Sequence, residues 1–329
     1  MSRETRYWPS GVCLAVLALA TGTAAAQSAY KGGEHWTPPS TADGQPNIQG
    51  DWTNDTYTPL ERPAELANKE LFTRDEALAF VKSRTERLNA QSADDIHYDD
   101  AIWQAEKYGK VANLRTSLIV DPRNGKVPSL TPAGQARYVQ QLAAQRAEKV
   151  TTRASSRSLA ERCISWGDVG PPMMPPTYAA NLEILQTSGT VIIRHELMHD
   201  VRMIYLDGRP HPGANVQWLA GHSVGRWEGT TLVVDTTNFT DKTNFRGSPQ
   251  NTRQDIFATA HLHVVERFTP TSADKIRYQY TVDDPSTWTS PWSGEIDIRR
   301  TEGPIYEYAC HEGNYGLANI LRAALAPPR

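Results

Sequence analysis

The sequence predicts a mainly β protein: an antiparallel, lipocalin-like β-barrel, with a sandwich as runner-up, behind a helical and irregular N-terminal extension. Three observations carry this. From Leu182 onward short runs alternate apolar and polar residues: LEILQT, TVIIRHE, VRMIYLDG, VQWLAGHSVGRWEG, TTLVVDT, HLHVVERFT, KIRYQYTV, GEIDIRR and PIYEYAC. A period of two puts one set of side chains on each face of a sheet. The connections LDGRPHPG and RWEGTT carry glycine where a hairpin turn needs positive φ. Finally, GPPMMPPTY (170–178) can be neither helix nor central strand, because proline lacks an amide hydrogen, and it separates an irregular half from a β-rich one.

Taken in order, the chain opens with Arg3, Arg6, the apolar run VCLAVLALA (12–20) and Ala24-Ala25-Ala26, the pattern of a cleaved signal peptide over residues 1–26. The run is too short to span a bilayer and Cys13 lacks a lipoprotein box, so the expectation is a soluble periplasmic protein with no stable membrane anchor after cleavage. Cleavage leaves 303 residues (329 − 26), and losing Arg3, Arg6 and Glu4 moves the formal charge from −3 to −4. So small a net charge gives no reason to expect a nucleic-acid partner. Cys163 and Cys310 survive cleavage, and an oxidising compartment favours a disulfide between them over two buried thiols.

Residues 27–180 read as an arm and helices packing on the barrel, and residues 181–329 as the barrel with a short C-terminal helix. The Pro- and Gly-rich start is an extended arm with one short strand around Ile48–Thr53, wrapping the body rather than entering its core. Thr73 caps a helix over 73–89 with acids in the first turn and Ala77, Phe80, Val81 and Leu88 on one face. The acidic run DDIHYDD reads as a solvated face rather than a calcium site. TSLIVDPRNGKVP is a short strand closed by a turn, and Thr131-Pro132 starts a helix reaching about Lys149. A second short helix around Ser158–Arg162 leads to Cys163, and GLANILRAAL (316–325) makes the last helix.

The candidate chemistry sits at the expected strand ends. His195-Glu196-Leu197-Met198-His199 spells H-E-x-x-H, which on a helix would present His195 and His199 to zinc. Flanking β-branched runs place it instead at a strand–turn–strand junction, where His199 beside Asp200 can serve as an acid or base. Cys310-His311-Glu312-Gly313-Asn314-Tyr315 supplies proton donors and acceptors, or else a structural cap on the last helix. Asp283-Asp284-Pro285 with Trp288 and Trp292 reads either as paired carboxylates beside indoles or as a turn before proline with the indoles closing the barrel. Asp235, Asp241, Lys242, Asn244 and Arg246 form a fourth polar cluster, more typical of ion pairs locking a loop than of substrate contacts.

The runs RWEGTTLVVDTTNFTDKTNFRGS, VERFT, YTVDDPSTWTSPW, GPIYEYACHEGNYGLANIL, LTPAGQAR and MHDVRMIYLDGRPH together resemble a widespread family of secreted bacterial proteins, across most of the mature chain. The resemblance implies export and brings no activity, cofactor or catalytic residue with it. In that family the first histidine of HELMH is not a fixed feature, which counts against zinc. The expectation is a cofactor-independent lyase, isomerase or hydrolase acting on a small, partly apolar, aromatic or glycosylated compound. His199, His311, Glu312, Asp283 and Asp284 would be its acids and bases; Trp288, Trp292, Tyr315, Asn314, Lys242 and Arg246 would hold the ligand. The alternatives are a non-catalytic binding protein for small apolar ligands, and a zinc hydrolase through His195 and His199.

Overall fold

The computed structural model describes residues 36–89, 114–148, 153–167, 169–176, 178–242, 244–245, 256–301 and 303–325. The expected signal peptide, the DDIHYDD run and Arg246 lie outside them. The chain contributes β1 (Gly50–Thr53), β2 (Ile119–Asp121), β3 (Asn181–Gln186), β4 (Thr190–His195), β5 (Val201–Tyr205), β6 (His222–Glu228) and β7 (Thr231–Thr237). After a two-stranded ribbon of β8 (Asn244–Phe245) and β9 (Ile256–Phe257) come β10 (His263–Ser272), β11 (Lys275–Asp283) and β12 (Trp292–Arg300). Nine strands run in the order β1-β3-β4-β5-β6-β7-β10-β11-β12 and close into a barrel through β1 beside β12, with β2 an extra strand on β12. The expected barrel is therefore present, but it is mixed: β5 and β6 pair in parallel, Ile204 with Ser223 and Tyr205 with Val224.

Two differences from the sequence reading have physical causes. LDGRPHPG is no hairpin turn; Pro210 and Pro212 cannot donate to a ladder, so the chain crosses back and restarts β6 alongside β5. PIYEYAC, despite its alternation, forms no strand. The place beside β12 that it would need is taken by β1, through Trp52 opposite Arg300, and by β2. Tyr306 is left 70% exposed, and the Cys163–Cys310 disulfide, with Cα atoms 5.7 Å apart, ties the segment down. The arm does more than wrap: Ile48 and Trp52 are 1% and 2% exposed, inside the core.

Local rules set the helices. In α1 (Arg74–Asn89), Thr73 Oγ1 accepts from the Glu76 amide at 3.3 Å and Glu76 accepts from the Thr73 amide at 2.8 Å, a reciprocal capping box. Ala77 and Val81 turn inward. In α2 (Pro132–Glu148), Thr131 Oγ1 caps the Gly134 amide at 3.0 Å, and Gly134 lies so near Thr287 that a Cβ would stand 2.4 Å from its carbonyl oxygen. In α3 (Tyr315–Leu325), Asn314 accepts from the Leu317 amide at 3.2 Å. The Ser158–Arg162 stretch makes only a hydrogen-bonded turn.

Alternation decides what faces inward. On β10, Val264, Glu266 and Phe268 are buried while His263, Val265 and Arg267 face out. The interior is filled by Phe268, Tyr278, Tyr280, Trp52 and Trp292, with Met173 and Met174 of the proline-rich segment packed into the same core. Within it lies a buried ion pair. Arg202 donates to both carboxylate oxygens of Glu266, one contact at 2.9 Å, and also to Ser223 Oγ and Thr236 Oγ1. Tyr278 donates to Glu266 at 2.7 Å and accepts from the Met173 amide at 2.8 Å.

Candidate acid–base site on the outer wall

His222 opens β6, Asp235 lies near the end of β7, His263 opens β10 and Asp283 ends β11. Antiparallel pairing brings these termini to one end of the barrel. The register sets His222 opposite Thr237 and His263 opposite Asp283, with Asp235 beside Val224 on one strand and Val265 on the other. All four belong to the outward set, so the cluster sits on the wall of the barrel and not in its hollow. The 206–221 crossing adds His211.

A chain of four side chains results. His222 Nδ1 lies 3.0 Å from His211 Nδ1, His211 Nε2 lies 3.0 Å from Asp235 Oδ1, and Asp235 Oδ2 lies 2.9 Å from His263 Nε2. A carboxylate only accepts, so each histidine facing it donates from Nε2. With that nitrogen protonated, neutral His211 can only accept at Nδ1, and His222 donates from its own Nδ1. The bare nitrogen of neutral His222 is then Nε2. Protonated His263 keeps a second donor at Nδ1.

The electrostatics push the two ends apart. His263 is raised, chiefly by its hydrogen bond to Asp235, against opposing burial and with help from the charges of Asp235 and Asp283. His222 is lowered, first by burial and then by His211 and Arg209. The Asp235 carboxyl is lowered, first by the hydrogen bond from His263. One end of the chain thus favours the neutral imidazole and the other the imidazolium, the arrangement that separates a base from an acid. The side chains of His211, Asp235 and His263 are 24%, 33% and 40% exposed, which leaves them within reach of a ligand. Rings surround His222: Tyr205 stacks on it at 5.4 Å and Trp218 lies tilted at 5.6 Å. Arg209 lies over Tyr205 at 3.8 Å.

Apart from Asp235, Asp283 and Arg246, the last outside the described residues, the residues singled out in the sequence lie elsewhere. The H-E-x-x-H run is not an α-helix: His195 ends β4 facing the barrel interior, and His199 is the last residue of the 3₁₀ turn Leu197–His199, at φ +41°, exposed, with Nδ1 3.1 Å from the Tyr308 carbonyl oxygen. The two imidazoles share no face, and among the described residues no group of three or more His, Cys, Asp or Glu is placed to hold a metal ion. His311 and Glu312 are exposed beside the disulfide, and Tyr315 is 76% exposed. Asn314 caps α3 and donates to the Glu161 carbonyl oxygen at 3.4 Å.

Asp284 is 1% exposed and saturated, accepting from the Thr259 amide and hydroxyl, the Ser286 amide and the Thr287 hydroxyl at 2.7 to 3.0 Å. It is a loop-building group. Trp288 and Trp292 are each 2% exposed and meet edge to face at 5.8 Å, inside the core instead of lining a mouth. Lys242 is exposed on a turn. Among the described residues no hydrogen bond or ion pair joins His199 or His311 to Asp283 or Asp284. Only Asp283 adjoins the relay, through its charge on His263.

Reading Asp235 as part of a loop-locking cluster with Lys242 missed its partners. The signal that could have found one of them is RWEGTT. A tight hairpin pairs Glu228 with Thr231, and counting back pairs His222 with Thr237, one diagonal from Asp235. His211 and His263 had no such signal, since neither long connection fixes a register.

Fold and site together define a closed, mixed β-barrel bearing an imidazole–carboxylate relay on its outer wall. Comparison with protein-family models, curated proteins and solved structures finds no match.

Proposed function

We propose that this chain is an exported acid–base enzyme whose site is the outer-wall relay His222–His211–Asp235–His263. The observation that carries the reading is one carboxylate held between two imidazoles, the first of which touches a third. His222 takes a proton from the substrate or from an attacking water at Nε2, and His211 with Asp235 orients it and stabilises the charge it gains. His263, whose protonated form Asp235 favours, gives a proton to the leaving or rearranging group. Proton out on one side and proton in on the other is the requirement of a lyase, isomerase or hydrolase. Tyr205 and Trp218 beside His222 favour a small, partly aromatic substrate. The disulfide and the N-terminal leader pattern support a periplasmic setting.

The test is a turnover screen over small aromatic and glycosylated compounds, followed by Asp235→Asn and His263→Gln on any substrate found. Each variant is expected to lose on the order of 10²-fold or more in kcat. Asp235→Asn is also expected to return the His263 NMR titration toward the ordinary imidazole value. Full turnover in both variants would remove the relay from the mechanism. A second reading, binding without turnover, is favoured by the 42% exposure of Trp218; ligand affinity would then survive both substitutions and fall with Trp218→Ala.

A further inference from the structure

The barrel has a second place built for a ligand, at the end away from the histidines. β10 runs ten residues from His263 to Ser272, so at about 3.3 Å per residue its two ends stand roughly 30 Å apart. At the far end a cavity of about 300 Å³ is lined by Trp36, Ile48, Trp52, Pro270 and Arg300, among others. Its apolar part is rigid, since Ile48 and Trp52 are core residues and Trp52 Nε1 donates to the Ile48 carbonyl oxygen at 3.0 Å.

Its one charged group is a guanidinium, and Asn47 and Ser272 also line it. Arg300 lies over the Trp52 ring at 4.3 Å, held by Nε to the Ala273 carbonyl oxygen at 3.1 Å and Nη2 to the Gln49 carbonyl oxygen at 3.3 Å. Gly50, at φ +126°, makes that pose possible, because a Cβ there would stand 2.2 Å from Arg300 Nη1. Among the described residues no acidic side chain pairs with Arg300. Asp274, whose pKa its charge helps to lower, bonds Ser272 Oγ instead. An arginine held over an indole by two carbonyls, beside a cavity that a second indole also lines, fits a flat apolar body ending in a carboxylate.

The geometry points to a binding site for a small aromatic carboxylate between Trp36, Trp52 and Arg300, separate from the relay. The test is tryptophan fluorescence and calorimetric titration of the intact protein with trans-cinnamate, with cinnamyl alcohol as the uncharged control. Cinnamate is expected to bind saturably and at least about tenfold more tightly than the alcohol, the size of one charge-assisted contact. Arg300→Met should erase the difference between the two probes, and Trp36→Ala, which leaves Arg300 and its carbonyl partners in place, should weaken both. Asp235→Asn should bind cinnamate as the wild type does. Absence of saturable binding, equal affinity for acid and alcohol, or binding lost with Asp235→Asn but kept with both Arg300→Met and Trp36→Ala would each overturn the assignment.

Discussion

At Asp235, burial and partnership work against each other, and the partners win: desolvation raises the carboxyl, the bond from His263 lowers it more, and the net shift is downward. The linkage has two signs. His263 is raised, so its contribution to stability is full below the ordinary imidazole value of about 6.5 and is lost as pH rises through the higher native value. Asp235 is lowered, so its contribution is present above about 3.9 and is lost as pH falls through the lower native value. His195 shows the opposite case for an imidazole. Buried in the barrel with Arg202 near it, it is pushed down to about 3, chiefly by desolvation and then by that charge. Unfolded chains take up this proton first, at about 6.5, so stability falls as pH drops from about 6.5 toward 3. Urea midpoints at pH 7 and pH 4.5 should therefore differ less in His195→Leu than in the wild type; an equal difference would show that His195 does not govern this window. Nothing in H-E-x-x-H as a string distinguishes His195 inside from His199 outside. The strand before it does, because period two turns Val191, Ile193 and His195 to one face.

Among the elements, the 284–288 turn shows how a sequence motif with two readings is decided. Asp283-Asp284-Pro285 fits paired catalytic acids and fits a structural turn equally well. Packing chose the second for Asp284, which is sealed among Thr259, Ser286 and Thr287, while Thr287 and Ser286 also receive α2 through Thr131 and Arg137. Asp284→Ala leaves buried donors unmatched and should cost about 2–4 kcal/mol in urea denaturation; a loss below about 0.5 kcal/mol, the level of an ordinary surface change, would contradict this role. Helices were legible because their caps are local: Thr73 with Glu76, Thr131 with Gly134, Asn314 with Leu317. PIYEYAC was not. Its alternation is as good as that of true strands, and its fate turned on whether an unpaired edge remained beside β12.

For the whole molecule, closure is the organising event. β1, from the arm, fills the gap between β3 and β12, and the closed wall encloses Arg202 and Glu266 with no water-facing side. Arg202→Met should therefore cost about 3–5 kcal/mol, because a buried carboxylate loses its counter-charge, and Arg202→Met with Glu266→Leu should recover much of it. Urea midpoints of the single and double variants check this, and a double variant no more stable than the single would argue against the pair. The Cys163–Cys310 bridge adds a constraint of another kind, closing a separation of 147 residues in sequence, worth roughly 4–5 kcal/mol if it acts on the unfolded chain alone. The sequence by itself determined the β character of the second half, the helix starts, the disulfide pair and which residues of each strand share a face, since all of these depend on neighbours a few positions apart or on chemistry with no alternative partner. Only the tertiary structure decided that β5 and β6 run parallel, that the arm completes the barrel, and that His211, His222, Asp235 and His263 meet on its outside. Those outcomes depend on the register between strands joined by long connections, and a pattern of period two is satisfied equally well by many registers.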